Sequence, residues 1–368
     1  MEKRLREIKD LKTYIPGKSV EELAREYKIP KDRIIKLGSN ENPIGPSPLA
    51  VKSIIKNAGE ISSYGDPTQL ELRKKIKEYV NRNVNKEIFD ETNIILGNGS
   101  DELIDFFVRI FLEKGEKVLI PIPTYPQYEI TVRANKGKVT YSEMIDFKFD
   151  VNNFLSHYTS DIKLIFLCSP NNPTSGIIER KDIIKILDEV ECPVFLDEAY
   201  YEYCEKTSID LTKRYDNFFV SRTFSKIMGL AGLRLGYGIS NEEMISYMTR
   251  IRPPFNVNVL VQKAAIATLE DIDYIRKSKE MVDEGREYLT KELTKLGFYV
   301  YPSHANFILV NVEKYGRSNE ITERLFREGI IVRDCKEYSE GLDDRFIRIT
   351  IGKKEDNEAL VAALRNII

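Results

Sequence analysis

The residues around Lys226 are typical of an amine that takes part in chemistry. Lys226 comes shortly after the apolar run FFV (218–220), follows the hydroxyl residues Thr223 and Ser225, and precedes Arg234 by eight residues. An amine at the end of a strand, beside groups that bind oxyanions, can form a Schiff base with an aldehyde whose phosphate needs an anchor. The sequence therefore predicts a covalent site for a phosphorylated aldehyde cofactor.

Asp197, which ends the apolar run VFLD, is the matching acid. A carboxylate in this position is costly to bury unless it meets a cation or several hydrogen-bond donors. The protonated ring nitrogen of pyridoxal phosphate is such a cation, and it allows the ring to withdraw electrons from a carbanion. Tyr200, three residues later, and Asn172 could each bond the ring hydroxyl oxygen. Pyridoxal phosphate is therefore the cofactor that these residue types favour.

The segment GNGSDE (97–102) is a candidate anion site. It supplies successive backbone N–H groups before an amphipathic stretch, with Ser100 as the expected N-cap of a helix, and a helix N-terminus attracts phosphate. A dinucleotide fingerprint is disfavoured, because Glu102 stands where its third glycine would be. Tyr125, in PTYPQY, is a candidate for stacking on a planar ring.

The elements that position these residues form an alternating pattern. Between residues 91 and 240, short apolar runs alternate with stretches of helical period, which predicts βα units and a mainly parallel sheet. The candidate residues follow the ends of these runs, where an open α/β sheet binds its ligands. The runs are ETNIILGNG, KVLIPI, KVTYSE, IKLIFLCSP, CPVFLDEAY, NFFVSRTFS and RLGYGIS.

The pattern changes after Arg252-Pro253-Pro254. A long helical stretch over about 258–296, a helix near 318–328 and three strand-like segments predict a smaller α+β domain. We predict three parts: an N-terminal arm (1–35) that packs with the small domain, a large cofactor-binding domain (36–255) and a small C-terminal domain (256–368).

Composition excludes several classes of protein. The 368 residues include 56 Lys and Arg and 58 Asp and Glu. The resulting net charge of -2 provides no overall positive potential that would attract nucleic acid or an anionic membrane. No apolar run reaches the roughly 18 residues of a spanning helix, so we expect a soluble, cytoplasmic protein. With 2 His and 4 Cys that form no CxxC pair, we predict no metal site and no disulfide framework.

The order of motifs resembles that of the fold-type I pyridoxal-phosphate aminotransferases, and among them the histidinol-phosphate aminotransferase family. The resemblance covers nearly the whole chain and is highly specific for the superfamily. The motifs are YIPGK (14–18), LGSNENP (37–43), SYGDP (63–67), GNGSDE (97–102), PTYPQY (123–128), SPNNPTSG (169–176), FLDEAY (195–200), SRTFSKIMGLAGLRLGYG (221–238), RPPFNVN (252–258), GIIVRD (329–334) and RITIG (348–352).

The resemblance implies an α/β fold, with a mainly parallel seven-stranded sheet flanked by helices in the large domain. It implies that Lys226 is the Schiff-base lysine and proton shuttle, and that Asp197 pairs with the pyridine nitrogen. It implies a homodimer, because Tyr64 matches a tyrosine that family members contribute across the dimer interface to the cofactor phosphate of the other subunit. The other implied cofactor residues are Asn172 and Tyr200 at the ring hydroxyl, Tyr125 on the ring face, and Ser100, Asp101, Thr223, Ser225 and Arg234 at the phosphate.

The implied substrates are anions. Arg348 matches an arginine that binds an α-carboxylate such as that of glutamate, and Arg333 matches one that binds the phosphate of histidinol phosphate. Arg345 competes with Arg348 for the carboxylate. Tyr14 and Asn40 match positions near the substrate. The implied reaction is transamination between L-histidinol phosphate and 2-oxoglutarate.

Other readings stay open. An aminotransferase of aromatic amino acids and a threonine-phosphate decarboxylase would share the motifs around Asp197 and Lys226. An acyl-enzyme of the S-x-x-K type is disfavoured, because Thr223 stands at the serine position. A non-catalytic scaffold is disfavoured, because Asp197 and Lys226 would then follow adjoining strand ends only by chance.

Overall fold

Three sheets form the framework of the chain. The computed structural model describes residue 11, residues 13–336 and residues 338–368. A seven-stranded and a four-stranded sheet are accompanied by a two-stranded ribbon. The strands are β1 (Ile35–Lys36), β2 (Ile94–Gly97), β3 (Lys117–Ile122), β4 (Lys138–Glu143), β5 (Ile162–Cys168), β6 (Val194–Asp197), β7 (Phe218–Thr223), β8 (Gly236–Ile239), β9 (Tyr299–Val300), β10 (Phe307–Asn311), β11 (Ile330–Ile331), β12 (Arg333–Asp334) and β13 (Phe346–Thr350).

The seven-stranded sheet confirms the predicted fold class. Its strand order is β2-β8-β7-β6-β5-β3-β4, and all seven predicted runs supply its strands. Pairing is parallel from β7 to β4, and only β8 is antiparallel to its two neighbours. The central strands are almost continuously apolar because helices cover both faces of the sheet. On one face the rings of Phe107, Phe166, Phe195 and Phe219 pack together.

Helices connect and cover these strands. The helix α4 confirms the amphipathic stretch, but Ser100 is wrong as its N-cap: Gly99 holds that position and Ser100 is the first helical residue. The helices are α1 (Val20–Tyr27), α2 (Pro48–Asn57), α3 (Leu70–Val84), α4 (Ser100–Phe111), α5 (Gln127–Ala134), α6 (Val151–Ser156), α7 (Arg180–Glu189), α8 (Tyr201–Cys204), α9 (Glu242–Ile251), α10 (Val259–Glu270), α11 (Ile272–Lys295), α12 (Ser318–Arg327) and α13 (Lys354–Ile367).

The four-stranded sheet has the order β12-β13-β10-β9 and is antiparallel throughout. The helical stretch before it is two helices, because Asp271 leaves the helical conformation and its carboxylate caps α11 by accepting from the backbone N–H of Tyr274. The C-terminal part is thus of the α+β type.

The described part of the N-terminal arm lies against the small sheet's helices. Tyr27 donates a hydrogen bond to Glu323 on α12 at 2.8 Å, and its ring lies 6.4 Å from that of Phe326. The strand β1 then pairs in parallel with β11. The packing of the whole arm with the small domain and the boundaries 1–35, 36–255 and 256–368 stay predictions, and residues 1–10 and 12 lie outside the described residues. No helix of the described chain is long and apolar enough to cross a membrane.

Candidate active site

One pocket at the carboxyl ends of β5, β6 and β7 brings together the predicted site residues, with the exception of Tyr64. The N-terminus of α4 and the strands β12 and β13 close it from the sides. Two tyrosines that the sequence analysis did not single out, Tyr128 and Tyr338, also line it. The predicted residues in the pocket are Tyr14, Asn40, Ser100, Asp101, Tyr125, Asn172, Asp197, Tyr200, Thr223, Ser225, Lys226, Arg234, Arg333 and Arg348.

Lys226 is half-buried at the mouth of β7, and its Nζ lies 5.6 Å from the centre of the Tyr200 ring. Burial and, to a smaller extent, the positive charge of Arg348 lower the pKa of Lys226 to about 8. A substantial fraction of this amine is therefore neutral near physiological pH, and a neutral amine is the form that attacks a carbonyl.

Asp197 is 3 % exposed at the end of β6. Its Oδ1 accepts from the backbone N–H of Ala199 at 3.0 Å, and its Oδ2 accepts from the hydroxyl of Tyr128 at 2.8 Å. Burial raises the pKa of Asp197 to about 6, although both hydrogen bonds act in the opposite direction. Within the described chain no Lys or Arg pairs with this carboxylate, so a cationic group in the pocket would be strongly favoured.

Tyr200 is held in place by the small sheet. Its hydroxyl accepts from Asn40 Nδ2 at 3.0 Å, and Asn40 in turn bonds Thr350 on β13 through both its backbone N–H and its Oδ1. Asn40 is buried and has a φ of 54°, a conformation that asparagine tolerates better than most residues. The loop that carries Asn40 therefore joins the two sheets at the pocket.

Asn172 also joins the two sheets. Its Nδ2 donates to the hydroxyl of Tyr338 at 2.9 Å, and its Oδ1 accepts from Arg348 Nη1 at 2.6 Å. The other terminal nitrogen of Arg348 donates to the carbonyl of Gly38 at 2.7 Å. The residue predicted to bond the cofactor ring is thus in direct contact with the residue predicted to bind the substrate carboxylate.

The N-terminus of α4 forms a cradle with Arg234. Gly99 has a φ of 83°, a conformation that favours glycine, and a Cβ there would lie 2.7 Å from Arg234 Nη2. Arg234 reaches Asp101 at 3.0 Å and Ser225 Oγ at 3.4 Å, while Thr223 Oγ1 accepts from the backbone N–H of Ser225 at 3.1 Å. Backbone N–H groups, hydroxyls and a guanidinium converge here, which is the chemistry of a phosphate site.

Arg333 and Arg348 stand directly opposite each other on the antiparallel strands β12 and β13. Both are buried, and in each the Nε has no hydrogen-bond partner among the described residues. Like charges in this arrangement are destabilising unless an anion compensates them. The exposed Arg345 pairs with Asp343 and does not line the pocket, so the geometry favours Arg348 over Arg345 for an anion.

Three aromatic residues complete the predicted set. The Tyr125 hydroxyl donates to Asp101 Oδ1 at 3.1 Å, and the Tyr14 ring lies 5.8 Å from the guanidinium of Arg333. Tyr64 is 82 % exposed and stacks on Phe255 with ring centres 4.4 Å apart. Its position outside this chain's pocket is compatible with the predicted role toward a partner.

The sequence contained a signal for only one of the two additional pocket residues, Tyr128 and Tyr338. Tyr128 lies in the first turn of α5, and Tyr125, three residues earlier in the same motif PTYPQY, precedes the N-cap Pro126. Its place in that motif could have identified Tyr128. Tyr338 lies in a loop without periodicity, and only the fold brings its ring within 4.8 Å of Arg333 and 5.3 Å of Arg348.

Comparison with known proteins agrees with this geometry. Residues 32–364 match the family model described as aminotransferase class I and II. The chain is 40 % identical to the histidinol-phosphate aminotransferase of Methanosphaera stadtmanae, over 98 % of both chains, and 42 % identical to that of Methanococcus aeolicus, over 98 % of this chain and 97 % of the relative. It also resembles the crystal structure of histidinol-phosphate aminotransferase from Sinorhizobium meliloti in complex with pyridoxal-5'-phosphate, with a TM-score of 0.86, 26 % identity and coverage of 98 % of this chain and 96 % of that one. The chain belongs to the class I and II aminotransferases.

Proposed function

We propose that this chain transfers the amino group of L-histidinol phosphate to 2-oxoglutarate, with pyridoxal phosphate as cofactor, and so forms imidazole-acetol phosphate and L-glutamate. The observation that carries the proposal is the cross-strand pair of Arg333 and Arg348 beside Lys226. One arginine would take the phosphate of histidinol phosphate and the other the α-carboxylate of glutamate. The curated relatives bear the same activity in their name.

The residues of the pocket fit pyridoxal phosphate. Asp197 is a buried carboxylate without a cationic partner in the described chain, and the ring nitrogen of the cofactor can be that partner. Lys226 is an amine whose lowered pKa favours attack on an aldehyde. The cradle of Gly99, Ser100 and Arg234 offers donors to the phosphate. We assign Tyr125 to the ring face and Asn172 and Tyr200 to the ring hydroxyl, as the resemblance implies.

The side chains divide the work of the reaction. Pyridoxal phosphate, when bound, supplies an electron sink that acidifies the carbon bearing the amino group. Lys226 Nζ would accept the proton from that carbon and deliver it to the C4' carbon of the cofactor. Arg333 and Arg348 orient the substrate by its anionic groups, which holds the reacting bond where Lys226 can reach it. Asn40 and Tyr14 border the substrate side of the pocket.

A homodimer is part of the proposal. Tyr64 is 82 % exposed, and Ile55 and Ile61 nearby are 71 % and 72 % exposed. Exposed apolar side chains in one region suit an interface, and there Tyr64 would donate to the phosphate bound by a second copy of the chain. A location in the cytoplasm stays a prediction.

The first experiment is a half-reaction. The protein is loaded with pyridoxal phosphate, and the absorbance of the bound cofactor is followed after addition of L-histidinol phosphate without any keto acid. We expect conversion to the pyridoxamine form, faster than with L-phenylalanine or O-phospho-L-threonine at the same concentration.

Each alternative has its own outcome. Conversion by phenylalanine alone would assign the chain to the aromatic aminotransferases. Carbon dioxide from the phosphothreonine sample would assign it to the decarboxylases. The variant Lys226→Ala should be inactive with every substrate while keeping its circular dichroism spectrum, and an active variant would refute the role of Lys226.

A further inference from the structure

Tyr128 is hydrogen-bonded to Asp197, the carboxylate assigned above to the ring nitrogen of pyridoxal phosphate. The hydroxyl of Tyr128 donates to Asp197 Oδ2 at 2.8 Å, and the backbone N–H of Ala199 donates to Oδ1 at 3.0 Å. Each oxygen thus receives one neutral donor. The negative charge of Asp101 acts in the opposite direction, because it repels a negative charge on Asp197 and raises its pKa.

The position of Tyr128 is fixed by packing. Its side chain is fully buried, its ring stacks on Phe166 with centres 4.9 Å apart and planes 8° apart, and the edge of Tyr125 meets it at 5.6 Å. Burial raises the pKa of Tyr128 well above its ordinary value, so the hydroxyl keeps its proton and stays a donor. Tyr128, in the first turn of α5, and Tyr125, just before the helix, therefore lie side by side with different tasks.

We propose that Tyr128 is a positioning residue that fixes Asp197 Oδ2 and keeps this carboxylate charged, so that Asp197 holds the ring nitrogen of pyridoxal phosphate in its protonated form. This inference rests on the proposed function. A proton between a carboxylate and a ring nitrogen moves toward the stronger base. Because the hydroxyl of Tyr128 stabilises the carboxylate, it makes Asp197 the weaker base and leaves the proton on the nitrogen.

The variant Tyr128→Phe tests this, since it keeps the ring on Phe166 and removes one hydroxyl. The first readout is the nitrogen NMR signal of bound pyridoxal phosphate labelled with ¹⁵N in the ring, which reports protonation directly and needs no turnover. We expect the signal to move toward that of the unprotonated ring. The second readout is steady-state kinetics, where kcat should fall about tenfold while KM for the amino substrate stays within about twofold.

Two controls separate this role from a general effect of losing a tyrosine hydroxyl. Tyr203 is buried on α8, and its hydroxyl has no hydrogen-bond partner in the described chain, so Tyr203→Phe should leave both the nitrogen signal and kcat unchanged. In Asp197→Asn the carboxylate is gone, and adding Tyr128→Phe should then cause no further change in the nitrogen signal.

The outcomes distinguish the inference from the proposed function. A nitrogen signal and a kcat that match the parent in Tyr128→Phe would overturn the inference and leave the proposed function intact. A change of equal size with and without the carboxylate of Asp197 would also overturn it, because Tyr128 would then act by another route. A parent chain that binds no pyridoxal phosphate would overturn both.

Discussion

Arg348 Nη1 donates to Asn172 Oδ1 at 2.6 Å, across the boundary between the small and the large sheet. The second terminal nitrogen of Arg348 reaches the carbonyl of Gly38, and its Nε has no partner in the described chain. The guanidinium is therefore held from two sides, and Arg348 lines the pocket. An anion that binds Arg348 therefore meets a guanidinium that Asn172 and Gly38 already hold in place.

For binding of the substrate carboxylate, the parallel N–H groups of the Arg348 guanidinium should matter more than its positive charge alone. A lysine keeps the charge but cannot bond a carboxylate with two parallel N–H groups or reach both Asn172 and Gly38. We expect Arg348→Lys to lower kcat/KM for L-glutamate by about 10- to 100-fold, as the loss of a charge-assisted hydrogen bond does. Steady-state kinetics with glutamate as donor measures this.

Arg345→Lys is the matched control, because Arg345 is an exposed arginine three residues before Arg348, directly ahead of β13, and it is paired with Asp343. It should change kcat/KM by less than about twofold. A larger effect of Arg345→Lys than of Arg348→Lys would reverse the assignment of the carboxylate site.

The rate at which Lys226 reacts with an aldehyde should depend on pH. Its pKa is lowered to about 8 by burial and by Arg348. The neutral amine predominates above that pH, so the rate at which the cofactor-free protein captures pyridoxal phosphate should rise with pH and level off above about 8. Stopped-flow absorbance measures this rate.

Arg348→Gln tests the electrostatic part of this argument. Removing the positive charge should raise the pKa of Lys226 and move the midpoint of the rate profile to higher pH. An unchanged midpoint would mean that burial alone sets the pKa. A midpoint near that of an ordinary lysine in the parent protein would contradict the buried environment of the amine.

The sequence predicted much of this site because strand ends are local features. Asp197 and Lys226 each follow an apolar run, and parallel strands bring such ends to one edge of the sheet. All seven strands of the large sheet follow from that alternation. The cap of α4 was predicted one residue late, because glycine and serine both occur at N-caps and the positive φ that favours glycine at residue 99 shows only in the structure.

The remaining contacts depend on segments far apart in the chain. Asn40 meets Thr350, and Asn172 meets Tyr338, over separations of 310 and 166 residues. No periodicity or spacing encodes such pairs, since they exist only after the two sheets have packed. The same is true of Arg222, whose surroundings the sequence analysis did not consider.

Arg222 and Glu198 form a fully buried ion pair behind the pocket. Arg222 donates to Glu198 Oε2 through Nε at 3.0 Å and Nη2 at 2.8 Å, and the guanidinium lies 3.7 Å from the centre of the Tyr201 ring. Removal of one partner leaves an uncompensated buried charge. We expect Arg222→Met to lower the free energy of unfolding by about 3–5 kcal/mol, measured by urea denaturation.

The double variant Arg222→Met with Glu198→Gln is the informative control. It removes both charges of this pair, and the amide still accepts from the backbone N–H of Ser208, as Glu198 does at 2.8 Å. It should therefore be more stable than Arg222→Met alone. The exposed Arg276 forms an ion pair with Glu280 one turn away, and Arg276→Met should change stability by less than about 0.5 kcal/mol. Equal losses in the single and the double variant would mean that packing, and not charge, explains the effect.

Tyr64 allows a direct test of a shared active site. If Tyr64 serves the pocket of a second copy, Tyr64→Ala and Lys226→Ala damage different halves of one composite site. Each homodimer alone should have little activity. After unfolding and joint refolding of an equimolar mixture, about half of the dimers contain one chain of each kind, and in those dimers one of the two sites is complete. About a quarter of the parent activity should then return, in a dimer verified by analytical ultracentrifugation. A monomer in that measurement, or a mixture no more active than its components, would refute the shared site, because Tyr64 then could not reach the cofactor of another chain.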